Sequence, residues 1–179
     1  MTPTPTVIDQ FQAPWGGTLK VLTGLALLIL VGVAIAGVVW QPPGTATNSW
    51  FRNIWWLSMV VLPLVFAVGS SCFTIRGYTL TSEVLWVERL GWRSRIYLSE
   101  FVTARMEPQA MRGSIRTFGN GGLFCIAGRF WSQSLGHYRA FVTDFDRTVV
   151  LEFSNRTVVV SPDRPADLML ALNEPEEPQ

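Results

Sequence analysis

An apolar run from Leu19 to Trp40 constrains this chain more than any other feature, because its single charge, Lys20, stands at its start. As a helix rising 1.5 Å per residue, the run would be about 33 Å long, enough to cross the ~30 Å hydrocarbon core of a bilayer. It lacks the polar stripe that a helix lying on a soluble core or on a membrane surface shows. We therefore predict a transmembrane helix.

A second apolar run extends from Ile54 to Phe73 and contains no charged residue. Pro63 would break a helix in water, but in a bilayer neighbouring groups satisfy the freed backbone, so we expect a kink there. The two spans, residues 19–40 and 54–73, are joined by a short loop. Together they predict a transmembrane hairpin whose two ends lie on the same side.

Cations flanking the spans predict the orientation. The loop of residues 41–53 carries only Arg52, whereas Lys20 precedes the first span and several arginines follow the second within about 20 residues. We expect an integral membrane protein with both termini in the cytoplasm. Tryptophans near the span ends agree with these boundaries; they are Trp15, Trp40, Trp50, Trp55 and Trp56.

A cleaved signal peptide is the alternative for the first span, since residues 34–36 have the small-x-small form of a cleavage site. The apolar run continues past this site to Trp40, which favours a retained helix. Cleavage would leave a single-span protein with the same second domain.

The charges divide the second half of the chain. Residues 76–139 contain 9 arginines and 4 glutamates, and residues 144–179 contain 3 arginines and 8 acids. The basic part follows the membrane hairpin directly, which suits a domain that lies against anionic head groups. The alternative is that these charges are spread over all faces of the domain.

The organisation we predict is a flexible tail over residues 1–18, the hairpin over 19–73, a domain over 74–173 and an acidic tail over 174–179. Alternating strand patterns begin at Phe73, and a helix start at Pro162 precedes Leu168, Met169 and Leu172, which would plug an open end. The fold class is a membrane-anchored α+β protein with a β-barrel or sandwich of seven or eight strands capped by this helix. We predict strands at residues 73–80, 84–90, 93–98, 101–106, 123–131, 136–143, 148–153 and 157–161.

The opening strands resemble the bacterial pleckstrin-homology (PH) domain membrane proteins. Tyr78-Thr-Leu-Thr and the segment from Arg95 to Phe101 resemble that family's Tyr-x-Leu-Thr strand and Ile-Pro-Leu-x-x-Ile pattern, departing from it at Tyr97 and Phe101. Segments beginning at Arg116, Gly136 and Val158 resemble one branch of the family. The resemblance covers about the last 100 residues and implies a PH-like fold, a binding role and a location in the bacterial plasma (inner) membrane.

One glycine-rich loop, within residues 108–122, is the first candidate binding surface. Backbone N–H groups of such a stretch can cradle an anion, and two arginines flank it. The alternative is a turn whose glycines supply positive φ angles before the next strand. The candidate residues are Arg112, Arg116, Gly119, Asn120, Gly121 and Gly122.

A second candidate set would contact the lipid surface. The phosphoinositide mode of PH domains uses a basic loop between the first two strands, but residues 81–83 here are short and carry no cation. We expect looser contact with anionic lipid, through Arg76, Arg89, Arg93 and Arg95.

The motifs do not favour catalysis, a cofactor or nucleic acid. His137 and Cys125 could form a nucleophilic pair, but neither lies in a known enzyme signature, and the glycine-rich loop lacks the Lys-Ser/Thr of a nucleotide-binding loop. We predict a non-enzymatic, cytoplasmic binding module for a protein or peptide partner at the membrane face. The alternative is a lipid-facing or self-assembling scaffold.

Overall fold

Two long apolar helices lead the computed structural model, which describes residues 7–41 and 48–173. Helix α1 is Gly17–Val39 and helix α2 is Ser49–Ser71, and each has 23 residues. Both are long and apolar enough to cross a membrane. Their apolar side chains are largely exposed, as at Leu28 (70%) and Val68 (70%).

The two helices pack closely at Gly37. A Cβ atom there would lie 2.6 Å from Cβ of Met59, so only glycine fits. The indole Nε1 of Trp55 donates a hydrogen bond to the Gly37 carbonyl at 3.0 Å. Helix α2 contains a π-helical turn at Leu57–Val61, immediately before Pro63, whose ring nitrogen has no hydrogen to donate.

The described part of the chain contains ten strands, which form two sheets. The first sheet has the order β1-β2-β3-β4 and is antiparallel, and the second has the order β5-β9-β10-β8-β7-β6, with one parallel pair, β8 and β10. The strands are β1 (Val7–Gln12), β2 (Ile75–Thr81), β3 (Val84–Arg89), β4 (Arg93–Tyr97), β5 (Phe101–Met106), β6 (Ile115–Gly121), β7 (Ile126–Ser132), β8 (Gly136–Val142), β9 (Val149–Phe153) and β10 (Thr157–Val160).

The sheets pack face to face around one core. Tyr78 of the first sheet is fully buried; its hydroxyl donates to the Phe141 carbonyl at 2.6 Å and accepts from the Ser161 amide at 3.1 Å. Helix α3 (Pro165–Asn173) closes the core with Leu168, which is fully buried. Met169 and Leu172 pack beside it, as predicted.

The outer face of the second sheet has a core of its own. Ala140, Val150 and Val159 are fully buried there, and Leu19 of the first turn of α1 packs with them. The larger sheet is therefore covered on both faces. The start of α1 belongs to the β-domain as well as to the hairpin.

Of the two predicted architectures, barrel or sandwich, the structure confirms the sandwich, because the two sheets do not close into a barrel. The strand count differs: residues 7–41 and 48–173 hold ten strands where seven or eight were predicted. Eight of them match predicted strands in place, although β7 begins at Ile126 and not at Leu123. The two additional strands are β1 and β6.

Strand β1 lies within the predicted flexible tail of residues 1–18, so that prediction is wrong for residues 7–18, which hold β1 and the start of α1. Only Phe11 of β1 is buried, hence the sequence lacks the alternation that signals a strand; pairing with β2 orders it instead. Residues 1–6 and the predicted acidic tail at 174–179 lie outside the described residues.

Strand β6 lies within the predicted loop of residues 108–122, so that prediction is wrong for residues 115–121. Most of its side chains are exposed, and glycine and asparagine have low strand propensity, so neither pattern nor composition reveals it. Pairing with β7 holds it at the edge of the second sheet.

Candidate functional site

An open groove of about 1180 Å³ lies between the two long helices and the end of the β-sandwich next to them. Because four arginines line it, we call it the arginine groove. Its walls come from α1, α2, the segment after α2, both sheets and the β6–β7 connection. The lining residues are Leu22, Ala26, Phe66, Ser70, Phe73, Arg89, Trp92, Ser94, Arg116, Phe118, Gly119, Asn120, Gly121, Gly122, Leu123, Ala127, Gly128, Arg129, Arg139 and Phe141.

The groove has an excess of positive charge. Among the residues that the structure describes, no carboxylate lies within 4.0 Å of the guanidinium of Arg89, Arg116, Arg129 or Arg139. Arg129 and Arg139 stand directly opposite each other on β7 and β8. Like charges in that position destabilise a sheet, so an anion between them would relieve their repulsion.

Alternation along the strands brings three of the arginines together. Arg89 continues the inward-facing row of Leu85 and Val87 on β3, and Arg139 precedes the inward-facing Phe141 on β8. Arg89 and Arg139 therefore lie where the row of inward-facing core residues on each strand reaches the end of the sandwich at the groove. Arg129 joins them as the register partner of Arg139.

Arg89 is the most enclosed of the four. Its guanidinium carbon lies 5.3 Å from the ring centre of Phe141 and 5.8 Å from that of Trp92. Burial is the main cause that lowers its pKa, and the positive charge of Arg139 acts in the same direction. Its Nε is buried with no hydrogen-bond partner among the described residues, which is an unused donor at the groove.

The other wall of the groove is apolar and belongs to the helices. Leu22 and Ala26 of α1 and Phe66 of α2 line it, and the segment after α2 adds Phe73. The rings of Phe73 and Trp92 pack edge to face with centres 4.8 Å apart. The helices and the segment after α2 therefore contribute no charge to the groove, and all four arginines come from the β-domain.

Helix α1 is fixed to this site by a buried hydroxyl. Oγ1 of Thr23 donates to the Gly122 carbonyl at 3.0 Å and accepts from the Phe124 amide at 3.1 Å, and Thr23 is 3% exposed. Gly122 has φ +140°, and a Cβ there would lie 2.9 Å from Leu22. Glycine permits both the backbone angle and the close approach of the helix.

The predicted glycine-rich candidate lies at the groove, but its amides are engaged. The Gly122 and Leu123 amides donate to Oδ1 of Asn120 at 3.2 and 3.1 Å, and Asn120 Nδ2 donates to the Leu123 carbonyl. Gly122 has a positive φ angle, as the turn interpretation expects, whereas Gly119, also at positive φ, lies within strand β6. The amides of Gly122 and Leu123 are therefore committed within the turn, and ligand binding by residues 119–122 stays a prediction.

Arg112 does not lie beside Arg116. It lines a separate cavity of about 330 Å³ at the start of α1, together with Asp144 and Asp146, whereas Arg116 lines the arginine groove. The two arginines were predicted to flank one loop, but Arg116 lies within strand β6 and Arg112 lies in the turn before it.

The predicted lipid-contacting arginines are also divided. Arg89 turns inward to the groove, while Arg93 pairs with Glu88 at 2.9 Å and Arg95 lies over the Trp86 ring at 5.1 Å. The register of β3 and β4 places these two pairs on the face opposite the core. Arg76 is exposed on β2.

Cys125 and His137 occupy unlike environments. Cys125 is fully buried in the core, and burial raises the pKa of its thiol to about 11. A thiol in that state is a poor nucleophile. His137 is exposed on β8, opposite Trp131.

Sequence reasoning missed Arg129 and Arg139 as site residues. The alternation of β8 contained part of the signal, because Arg139 stands two residues before a core phenylalanine. The register that places Arg129 opposite Arg139, and the helices that close the groove, are tertiary features that no local pattern encodes.

The fold and the groove define a class: a PH-like β-sandwich with a C-terminal helix, preceded by two candidate membrane helices. A protein-family model described as "Bacterial PH domain" matches residues 76–175, which is more than half of the chain. The chain therefore belongs to the bacterial PH domain family. Comparison with curated proteins and with solved structures found no match.

Proposed function

We propose that this chain is a plasma-membrane protein with two spans and both termini in the cytoplasm, in which the PH-like domain binds an anionic ligand at the membrane face. The observation that carries this proposal is the arginine groove. Its four arginines lack carboxylate partners among the described residues, and a bound anion would supply the missing charge.

The position of the groove supports a site at the membrane face. Its helical wall is formed by the beginning of α1 and the end of α2, the two helix ends nearest the domain. Lys20 and the arginines of the domain lie at these ends, and Arg52 alone lies near the other end. The excess of cations on the domain side favours a cytoplasmic domain.

Binding suits the groove better than catalysis. Among its lining residues there is no carboxylate, histidine or cysteine to serve as an acid, a base or a nucleophile. Arginine supplies charge and directed N–H groups without exchanging a proton at neutral pH. An acidic segment of a protein partner and an anionic lipid both have the required charge.

A photo-crosslinker tests groove binding in native membranes. Phe118 is 77% exposed and lines the groove, so p-benzoylphenylalanine at this position should form a covalent adduct with the bound ligand. Val102 is 63% exposed on β5, at the opposite edge of the same sheet, and is the matched control position. We expect an adduct at 118 that disappears in the Arg129→Gln/Arg139→Gln background, and none at 102. An adduct insensitive to these arginines, or no adduct, would overturn the proposal.

Reporter fusions test the orientation. A reporter active only in the cytoplasm should work after Gln179, and one active only outside should work between the two helices. An external C-terminus would place the domain on the outer face and contradict the proposed location.

A further inference from the structure

We propose that the arginine groove holds one anionic phospholipid of the inner leaflet, with its phosphate at Arg129 and Arg139 and an acyl chain along Leu22 and Ala26. This inference rests on the proposed function and names the ligand class. It differs from the expected contact of Arg93 and Arg95 with the lipid surface, because it places one molecule inside a groove.

The head-group end follows from the charges. Arg129 and Arg139 are exposed and stand opposite each other, so a phosphodiester between them would accept hydrogen bonds from two guanidinium groups. Deeper in the groove, Arg89 and Arg139 both lie within 5.3 Å of the ring centre of Phe141. The buried Arg89 Nε has no hydrogen-bond partner within residues 7–41 and 48–173, so it could donate to an oxyanion in the groove.

The acyl-chain end follows from depth along the helix. Leu22 and Ala26 stand about 8 and 14 Å from the start of α1 at 1.5 Å per residue. The head-group layer on each side of a bilayer is about 5 to 8 Å thick, so a membrane surface at the start of α1 would place these two residues where head groups give way to acyl chains. Phe66, five residues before the end of α2, lines the same groove.

The combination of walls favours a lipid over an acidic peptide. An acidic peptide would neutralise the charge of the arginines. Its polar backbone, however, would then lie against the apolar side chains of two bilayer helices. A phospholipid joins one phosphate to apolar chains. In this groove the phosphate would contact the arginines and the chains would contact the helices. The edge-to-face pair of Phe73 and Trp92 stands at the junction, where amphipathic aromatic side chains are favoured.

Native mass spectrometry of the full chain in mild detergent tests the inference. Equal amounts of phosphatidylglycerol and phosphatidylcholine are added, and the lipid retained by each protein is counted. We expect one phosphatidylglycerol per chain, retained about tenfold more than phosphatidylcholine, and loss of this preference in Arg129→Gln/Arg139→Gln. The matched control, Arg93→Gln/Arg95→Gln, removes the same charge from the opposite face of the first sheet and should keep the preference.

A second pair of variants tests the chain end without changing charge. Ala26→Trp fills the groove and should reduce retention of phosphatidylglycerol, while Leu28→Trp on the 70%-exposed side of α1 should not. Equal effects of these two variants, or equal retention of both lipids by the unaltered chain, would overturn the inference. Glycerol 3-phosphate distinguishes a lipid from a soluble phosphate: if it displaces phosphatidylglycerol at equal concentration, the ligand is not a lipid.

The chemical identity of the adduct at position 118 distinguishes a failure of this inference from a failure of the proposed function. A lipid adduct supports both. A peptide adduct that depends on Arg129 and Arg139 leaves anion binding at the membrane face intact and removes the lipid. Absence of any adduct removes the groove as a binding site.

Discussion

At the scale of single residues, Tyr78 joins the two sheets through one buried hydroxyl. It donates to the Phe141 carbonyl and accepts from the Ser161 amide, so both hydrogen bonds cross from the first sheet to the second sheet or the residue that follows it. Removing the oxygen leaves two buried backbone groups unpaired. We expect Tyr78→Phe to lower the free energy of unfolding by about 1–3 kcal/mol at pH 8, measured by thermal or chemical unfolding in detergent.

The effect of Tyr78→Phe on the free energy of unfolding should also depend on pH. Burial raises the pKa of Tyr78 to about 12 from a usual value of 10, so the unfolded state loses the phenolic proton first as the pH rises. The tyrosine protein therefore loses stability between about pH 10 and pH 12, and Tyr78→Phe lacks this loss. We expect the difference in the free energy of unfolding between the unaltered protein and Tyr78→Phe to become smaller between about pH 10 and pH 12. A difference that stays constant would show that Tyr78 ionises equally in both states.

At the scale of elements, the β6–β7 ribbon depends on two facing glycines. Gly119 has φ +116° and Gly128 has φ +151°, and a Cβ on either would clash with the backbone of the other strand. Glycine avoids the clash and tolerates both angles. This pair allows β6 to join the sheet and places Phe118 and Arg116 at the groove.

Gly128→Ala should detach β6 from the sheet. A side chain in that backbone conformation costs about 1–3 kcal/mol before the clash is counted. Hydrogen exchange at residues 115–121 should accelerate while exchange in β9 and β10 stays slow. Gly91→Ala is the matched control, because a Cβ at Gly91 would meet no atom within 4 Å. Unchanged exchange in β6 would contradict the role of the glycine pair.

At the scale of the whole molecule, helix α1 and the β-domain form a joined structure. Leu19 belongs to the outer core of the second sheet, the Gly16 amide donates to the Thr143 carbonyl at 2.9 Å, and Thr23 binds both sides of the β6–β7 connection. These contacts attach the α1 part of the helical wall to the β-domain that carries the arginines.

Thr23→Val should loosen that attachment. The substitution removes the oxygen that accepts from the Phe124 amide, so that amide should exchange its hydrogen faster, and the unfolding free energy should fall by about 1–3 kcal/mol. Thr18→Val, on the exposed first turn of the same helix, should leave both unchanged. A Phe124 amide that stays equally protected in Thr23→Val would show that the hydroxyl does not hold the helix.

The amino-acid sequence alone determined the parts of this protein that depend on local pattern. Long apolar runs, one with Lys20 as its single charge and one with none, set the two long helices. Two-residue alternation set eight strands, and the short signatures around Tyr78 and Arg95 indicated the bacterial PH family that the family match confirms. These features follow from hydrophobic periodicity, which is a pattern among residues that are close in sequence.

Only the tertiary structure decided the sandwich, the two missed strands and the groove. Strands β1 and β6 expose most of their side chains and are held by pairing, so their own residues carry little signal. Arg129 and Arg139 become a charge pair through register, and Leu22 and Phe66 become a wall through packing. Register and packing join residues that are distant in sequence, and the free energy of those contacts exists only once the chain has folded.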